Sequence, residues 1–562
     1  MNHFAFRTTT DREKLGGFYR DNSEDSPALR DRLRHQIGTI SQQSAVYLVC
    51  TLFSLIGGYF FKIYVARVLG AEALGVYTLG MSVVAFFGLF STLGIPLTMV
   101  RYVPVYLARG DVTRLRVLVW FGVTVICTAS VVLGGVMALT GDLVATRIFS
   151  NYQLLGVIPL AAAMVPLNSM TFVLGQIVAG FRQATVSKKV NSFVAFPFMV
   201  VFTVCSFNLG WGVFGYIAAN MASSMIGIIL LGSITWRLLP HESRAPSFEK
   251  KRLEKGALVY TGSMIVWGAW GFLSGETDKI ILGTHLPIAH VGVYGVAITT
   301  ASFIPIILSS VNPVFAPYIS SLHAQQQQML LRRLFQTLSK WILGLTLPLF
   351  CVMTLLSQEI MSVFGSEFQF GWPVLVVGAL GQLVNAATGS VGYMLLMSGY
   401  ERTVVRTQMI SSILTFILYV VLVPPLGIVG AAAGQALGLI TANVINLINV
   451  RRKIGFWPHN RGSTRLILPT LLTTIALLTF DKCAEGHIHN LLAIGVSLLL
   501  GYGIFACTIC FIGLNQDDWL FVDALCERFH AVAAVVRRVK DLSVCERQKG
   551  CEASVKRTRR EE

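Results

Sequence analysis

Lys62 to Tyr77 reads KIYVARVLGAEALGVY, and Lys279 to Tyr294 reads KIILGTHLPIAHVGVY, close to a second printing of the same phrase. Both set charge into runs that are otherwise fit for lipid, and both close on Val-Tyr. The echo extends outward. Leu69-Gly70 is answered 213 positions later by Leu282-Gly283, and Pro104-Val105-Tyr106 by Pro317-Tyr318 at the same offset. Val76-Tyr77 meets Val293-Tyr294 after a short insertion. A second pair of matches, AGFRQATVSKKV at 179–190 with SGYERTVVRTQM at 398–409, joins the later parts of the two halves.

The runs containing these phrases are membrane spans in composition. The chain has 562 residues, 54% of them hydrophobic and 13% charged, against about 25% charged in soluble domains. Its mean hydropathy is +0.65. A helix needs roughly 20 apolar residues to cross about 30 Å of hydrocarbon. On that measure fourteen cores are expected, at 44–67, 75–100, 117–140, 152–178, 190–209, 213–236, 257–281, 291–318, 334–357, 371–397, 409–425, 428–450, 465–481 and 490–513. The repeat maps the first six onto the next six. Six is even, so both halves enter the membrane in the same sense. The expected architecture is all-α and polytopic, with two parallel-repeat lobes of six helices and two added helices. The segments are a tail at 1–42, a first lobe at 43–237, a linker at 238–256, a second lobe at 257–452, the added helices at 465–513 and a basic tail at 514–562. Residues 1–35 and 545–562 read as unstructured, while Trp519, Leu525, Phe529 and Val536 recur at helical spacing and predict an amphipathic helix in the last tail.

A net charge of +17 could speak for nucleic acid, but that requires a soluble basic face. Here all but five of the 45 Lys and Arg fall in the tails and in alternate loops, if the N-terminal tail is placed in the cytoplasm. This is how membrane orientation is written. It predicts both termini cytoplasmic, with lipid rather than nucleic acid as the surrounding partner. The five exceptions are Lys62, Arg67, Arg147, Lys279 and Lys482. The ten cysteines lie mostly inside apolar runs, as Cys50, Cys127, Cys205 and Cys351 do, and read as packing residues.

No HExxH, GxSxG or P-loop stands in an exposed loop, and the ten histidines are scattered, so neither an enzyme nor a metal or other cofactor is expected. The intramembrane charges are then the leading functional candidates, since each costs about 3 kcal/mol to place at the bilayer centre. They are Lys62 and Arg67 in the first half and Glu276, Asp278 and Lys279 in the second, at similar depth toward the outer leaflet. Two arrangements suit them. The clusters line a cavity between the lobes and bridge its outer mouth or meet an anionic substrate; or Glu276 and Lys279 pair on their own helix while Lys62 and Arg67 reach the headgroups. Arg101 on the inner side is a candidate for a phosphate headgroup, and Asn312 is one of the intramembrane amides that could hydrogen-bond sugar or glue helices together. Coupling to a proton or Na⁺ through Glu276 or Asp278 is open.

The phrases VARVLGAEALGVYTLG, LGIPLTMVRYVPVYLARGD and ETDKIILGTHLPIAHVGVYGVA resemble the multidrug/oligosaccharidyl-lipid/polysaccharide (MOP) exporter superfamily, and within it the polysaccharide-biosynthesis branch of Wzx-type flippases. The resemblance runs from about Gln43 to Phe511. It implies a V-shaped pair of lobes that carries a polyprenyl-pyrophosphate-linked oligosaccharide across the cytoplasmic (inner) membrane by alternating access, for O-antigen, capsule or exopolysaccharide synthesis. It also implies polysaccharide polymerase and glycosyltransferase machinery as pathway partners. The alternatives are a cation-coupled MATE-type drug exporter, a MurJ-like peptidoglycan-precursor flippase and a non-transporting scaffold. Helices 1 to 6 hold no carboxylate in their apolar cores, which disfavours the MATE type.

Overall fold

A computed structural model describes residues 27–240, 255–459, 461–484 and 490–512. The expected amphipathic tail helix and most of the expected linker lie outside the described residues. The first lobe comprises α1 (Pro27–Thr92), α2 (Ile95–Ala108), α3 (Val112–Leu143), α4 (Leu154–Ala162), α5 (Met164–Gly180), α6 (Ala184–Lys189), α7 (Phe196–Asn208) and α8 (Gly212–Leu238). The second comprises α9 (Lys255–Gly275), α10 (Thr277–His285), α11 (Ile288–Ala301), α12 (Ile306–Ala324), α13 (Gln328–Leu355), α14 (Ser357–Ser362), α15 (Trp372–Thr388), α16 (Val391–Met397) and α17 (Glu401–Lys453). The added helices are α18 (Ile467–Ala484) and α19 (Asn490–Ile512). There is no strand among the described residues. Helix already begins at Pro27, inside the stretch expected to lack structure.

Among the described residues, 11 helices are long and apolar enough to cross a membrane, or up to 12 when the bent pair α11 and α12 counts as one span. Two helices are too long for one crossing. The 66 residues of α1 would extend about 100 Å if straight. Instead α1 breaks at Gly70, where φ is 76°, so the expected cores 44–67 and 75–100 lie on either side of the break. The 53-residue α17 breaks at Gly427 (φ 60°), between the expected cores 409–425 and 428–450. A left-handed backbone of this kind suits glycine because it has no Cβ to clash. At Gly70 a Cβ would also stand 2.8 Å from Glu367 Oε1.

Apolar side chains cover the outside: Leu139 is 87% exposed and Phe511 86%, as lipid contact demands of a helix that must satisfy its own backbone. Inside, small residues and hydroxyls bring helices together, since lipid gives no hydrophobic drive between them. Ser91 meets Ser169 at 2.6 Å, Ser54 donates to Ser192 at 2.6 Å, and Thr388 donates to Asn443 Oδ1 at 3.1 Å. Of the intramembrane amides, Asn443 thus acts as interhelical glue. Asn220 and Asn449 donate to carbonyls of their own helices.

The lobes share one buried apolar core, in which Val65, Ala71 and Val76 pack with Val291, Tyr294 and Ala297. Its centre is a crossing of α1, just after Gly70, with α11. A Cβ on Gly75 would land on the Ile288 carbonyl oxygen, and one on Gly292 would land on the Ala71 carbonyl oxygen and 2.8 Å from Gly75 N. The two backbones therefore touch directly. These glycines precede the repeated Val-Tyr, so the quoted phrase is the point where the lobes meet. Away from this crossing, toward the other end, α2 meets α9 through the Thr98 and Thr261 hydroxyls at 2.9 Å.

The structure corrects the equivalence drawn at Leu69-Gly70. Gly70 is a break, whereas Gly283 lies within α10, and the corresponding interruption falls at Leu286-Pro287. An offset of 217 carries Lys62 onto Lys279, Gly75 onto Gly292 and Tyr77 onto Tyr294. Pro287 explains the difference, because the residue before a proline is pushed out of the helical region.

Candidate functional site

A cleft of about 470 Å³ opens beside this crossing. From the first lobe it is lined by Lys62, Tyr77, Thr78, Ser82 and Tyr216, and from the second by Glu276, Lys279 and Thr299. Lys62 lies within α1, two turns before the Gly70 break. Its ammonium reaches across the lobe interface and donates to Gly295 O at 3.0 Å and Thr299 Oγ1 at 2.6 Å. Among the described residues no carboxylate pairs with it. Lys62 Nζ is thus held by a carbonyl and a hydroxyl rather than by a paired carboxylate.

The break between α9 and α10 turns Glu276 into the cleft. Lys279 Nζ pairs with Glu276 Oε2 at 2.7 Å, and Ser82 of the first lobe donates to the same oxygen at 3.1 Å. The cleft thus sets two ammonium groups against one carboxylate. Its other wall is aromatic, with Tyr77 and Tyr216 rings 4.5 Å apart.

The remaining candidates stand elsewhere. Asp278 is 1% exposed and faces away from the cleft, where it accepts Tyr294 OH at 2.7 Å and the Lys279 backbone N–H at 2.8 Å. It ties α10 to α11. Tyr294→Phe would leave a buried carboxylate short of one donor, at a cost of about 1–3 kcal/mol. Thermal melting should show a lowered Tm, with transport per folded molecule unchanged. Arg67 is exposed, and its Nε donates to Val363 O at 2.7 Å, a tie between lobes near Gly70 rather than in the cleft. Arg101 lies midway along α2, its guanidinium 4.3 Å from the Tyr260 ring centroid. Asn312 sits on α12 with a buried Oδ1 that has no hydrogen-bond partner, and does not line the cleft.

The expected alternatives are thus divided between the residues. Glu276 and Lys279 pair on their own segment, while Lys62 bridges the lobes through a carbonyl and a hydroxyl instead of a carboxylate. Sequence reasoning passed over Gly75, Gly292, Tyr77, Tyr216 and Thr299. The glycine that precedes Val-Tyr in both halves was the available signal for the crossing.

Two helical lobes joined by a parallel repeat about a shared cleft form the fold of MOP-type transporters and flippases. The lipid II flippase MurJ in an inward closed conformation matches with TM-score 0.66 and 13% identity, over 83% of this chain and 98% of that one. An inward-facing multidrug resistance MATE family transporter matches with TM-score 0.59 and 13% identity, over 73% of this chain and 98% of that one. An uncharacterized membrane protein of Methanocaldococcus jannaschii is 22% identical over 470 residues, 79% of this chain and 92% of its own length. The family model for polysaccharide biosynthesis proteins matches residues 40–323, and the chain belongs to that family. It is a multi-pass membrane protein whose fold is that of the MurJ and MATE structures.

Proposed function

We propose that the protein is a flippase that moves a polyprenyl-pyrophosphate-linked oligosaccharide across the cytoplasmic membrane, with both termini cytoplasmic. The observation that carries this reading is Lys62: an ammonium in the lobe cleft, unpaired with any described carboxylate, beside a Lys279–Glu276 pair. The excess of positive charge in a low-dielectric span favours an anion, and the diphosphate of a lipid-linked sugar supplies one while its polyprenyl tail stays in lipid. The aromatic wall of Tyr77 and Tyr216 offers stacking faces for sugar rings. A cationic drug is disfavoured, because the one carboxylate of the cleft is already engaged by Lys279.

Binding to the purified protein separates the ligand classes. A polyprenyl-pyrophosphate oligosaccharide is expected to bind at least tenfold more tightly than the same lipid-linked sugar lacking the diphosphate, and to resist competition by the lipophilic cation ethidium. Equal binding of charged and uncharged lipids, or displacement by ethidium, would remove the anionic-substrate reading.

A further inference from the structure

The second lobe contains a helix break that the cleft does not use. Between α15 and α16 the chain leaves the helix at Gly389 (φ 68°, ψ −151°) and Ser390, within what the sequence predicts as one span. Three buried oxygens around this break have no hydrogen-bond partner: Ser339 Oγ of α13, Ser390 Oγ in the break itself, and Asn446 Oδ1 of α17. Ser339 is 1% exposed and Ser390 3%. Their neighbourhood is fixed by contacts. A Cβ on Gly389 would collide with the Ser339 hydroxyl, while one on Gly392 would lie 4.0 Å from Asn446 Nδ2. Asn443, one turn before Asn446, accepts the Thr388 hydroxyl at 3.1 Å.

Leaving a polar group unpaired in an apolar interior costs about 1–3 kcal/mol, so unpaired oxygens bordering one break favour a bound partner there. All three can present oxygen lone pairs. The break also receives the C-terminal end of α15, a 17-residue helix whose last carbonyls carry partial negative charge. The donors at the break, two serine hydroxyls and one amide, are neutral oxygens. Neutral oxygens beside a broken membrane helix suit a singly charged hard cation, since a divalent ion would leave its second charge uncompensated.

The geometry points to a binding site for a monovalent alkali cation at the Gly389–Ser390 break, held by Ser339, Ser390 and Asn446. This assignment is independent of the substrate in the lobe cleft. The test melts the full-length protein in NaCl, KCl and choline chloride at equal ionic strength. A saturable rise in Tm with Na⁺ or K⁺ over choline is expected, because a ligand that binds only the folded state shifts the folding equilibrium by 1 + [L]/Kd. The comparison of the two salts identifies the ion. Ser390→Ala and Asn446→Ala should each weaken the apparent ion affinity at least tenfold. Thr473→Ala, which removes another buried unpartnered hydroxyl between the added helices, should leave it unchanged. Identical melting of the wild-type chain in all three chlorides would mean that water alone fills the break and would overturn the site, whether or not the variants fold. A cation effect that survives in both Ser390→Ala and Asn446→Ala would overturn it too.

Discussion

Gly75→Leu or Gly292→Leu is expected to abolish transport while the protein still inserts in the membrane. At this crossing the obstruction is backbone against backbone: a Cβ on either glycine meets a carbonyl oxygen of the opposite lobe. No rotamer change relieves such a clash. Overpacking a tight contact costs about 1–3 kcal/mol, and at the upper end this shifts a two-state equilibrium roughly a hundredfold. The lobes should then part beside Gly70, and a carrier that cannot close one face cannot complete its cycle. The check is labelling of Ala85→Cys, a position lining the cleft, in a background without the native cysteines. A membrane-impermeant maleimide added from the side bearing Gly70 should react far faster in the leucine variants. Equal labelling together with normal transport would show that the crossing is not a gate.

Lys62→Met should reduce transport about a hundredfold. Methionine keeps the length and apolar stem but removes the two bonds that span the lobes. Hydrogen bonds to charged groups contribute about 1.5–3 kcal/mol each, so losing both at the lower end, about 3 kcal/mol, accounts for about two decades. Lys62→Arg should retain partial activity. Arg67→Ala should cost no more than a few-fold, because its single bond to Val363 O lies outside the cleft. The sequence treats Lys62 and Arg67 as one cluster; rate measurements on the two variants should separate them.

That separation marks the boundary of what could be read from sequence. The repeat was legible because lobe contacts and breaks constrain particular residues, and it led to Lys62, Glu276 and Lys279, which do share the cleft. The acceptors of Lys62 were not legible. One is a backbone carbonyl, which any residue offers, and the other is one threonine among many. Asp278 was grouped with Glu276 because the two stand close in the chain, yet the break at Glu276 interrupts the helical phase, so one carboxylate faces the cleft and the other Tyr294. Arg101 is a candidate for a phosphate headgroup on charge alone, and the ring of Tyr260 beneath its guanidinium could not be read from the chain. The Leu-Gly match misled because both residues are common in apolar helices, whereas Pro287 alone marked where the second lobe turns.

If the protein is a flippase, its cleft carries a lipid-linked anion from one leaflet to the other. Proteoliposomes containing the purified protein and a polyprenyl-pyrophosphate oligosaccharide with a labelled terminal sugar test it most directly, with an external enzyme modifying only sugars exposed on the outer face. The wild-type chain is expected to expose the inner pool many times faster than protein-free vesicles, and Lys62→Met to expose it about a hundredfold more slowly than the wild-type chain. Tight binding of the lipid without translocation would contradict the claim and leave a membrane scaffold in place of a flippase.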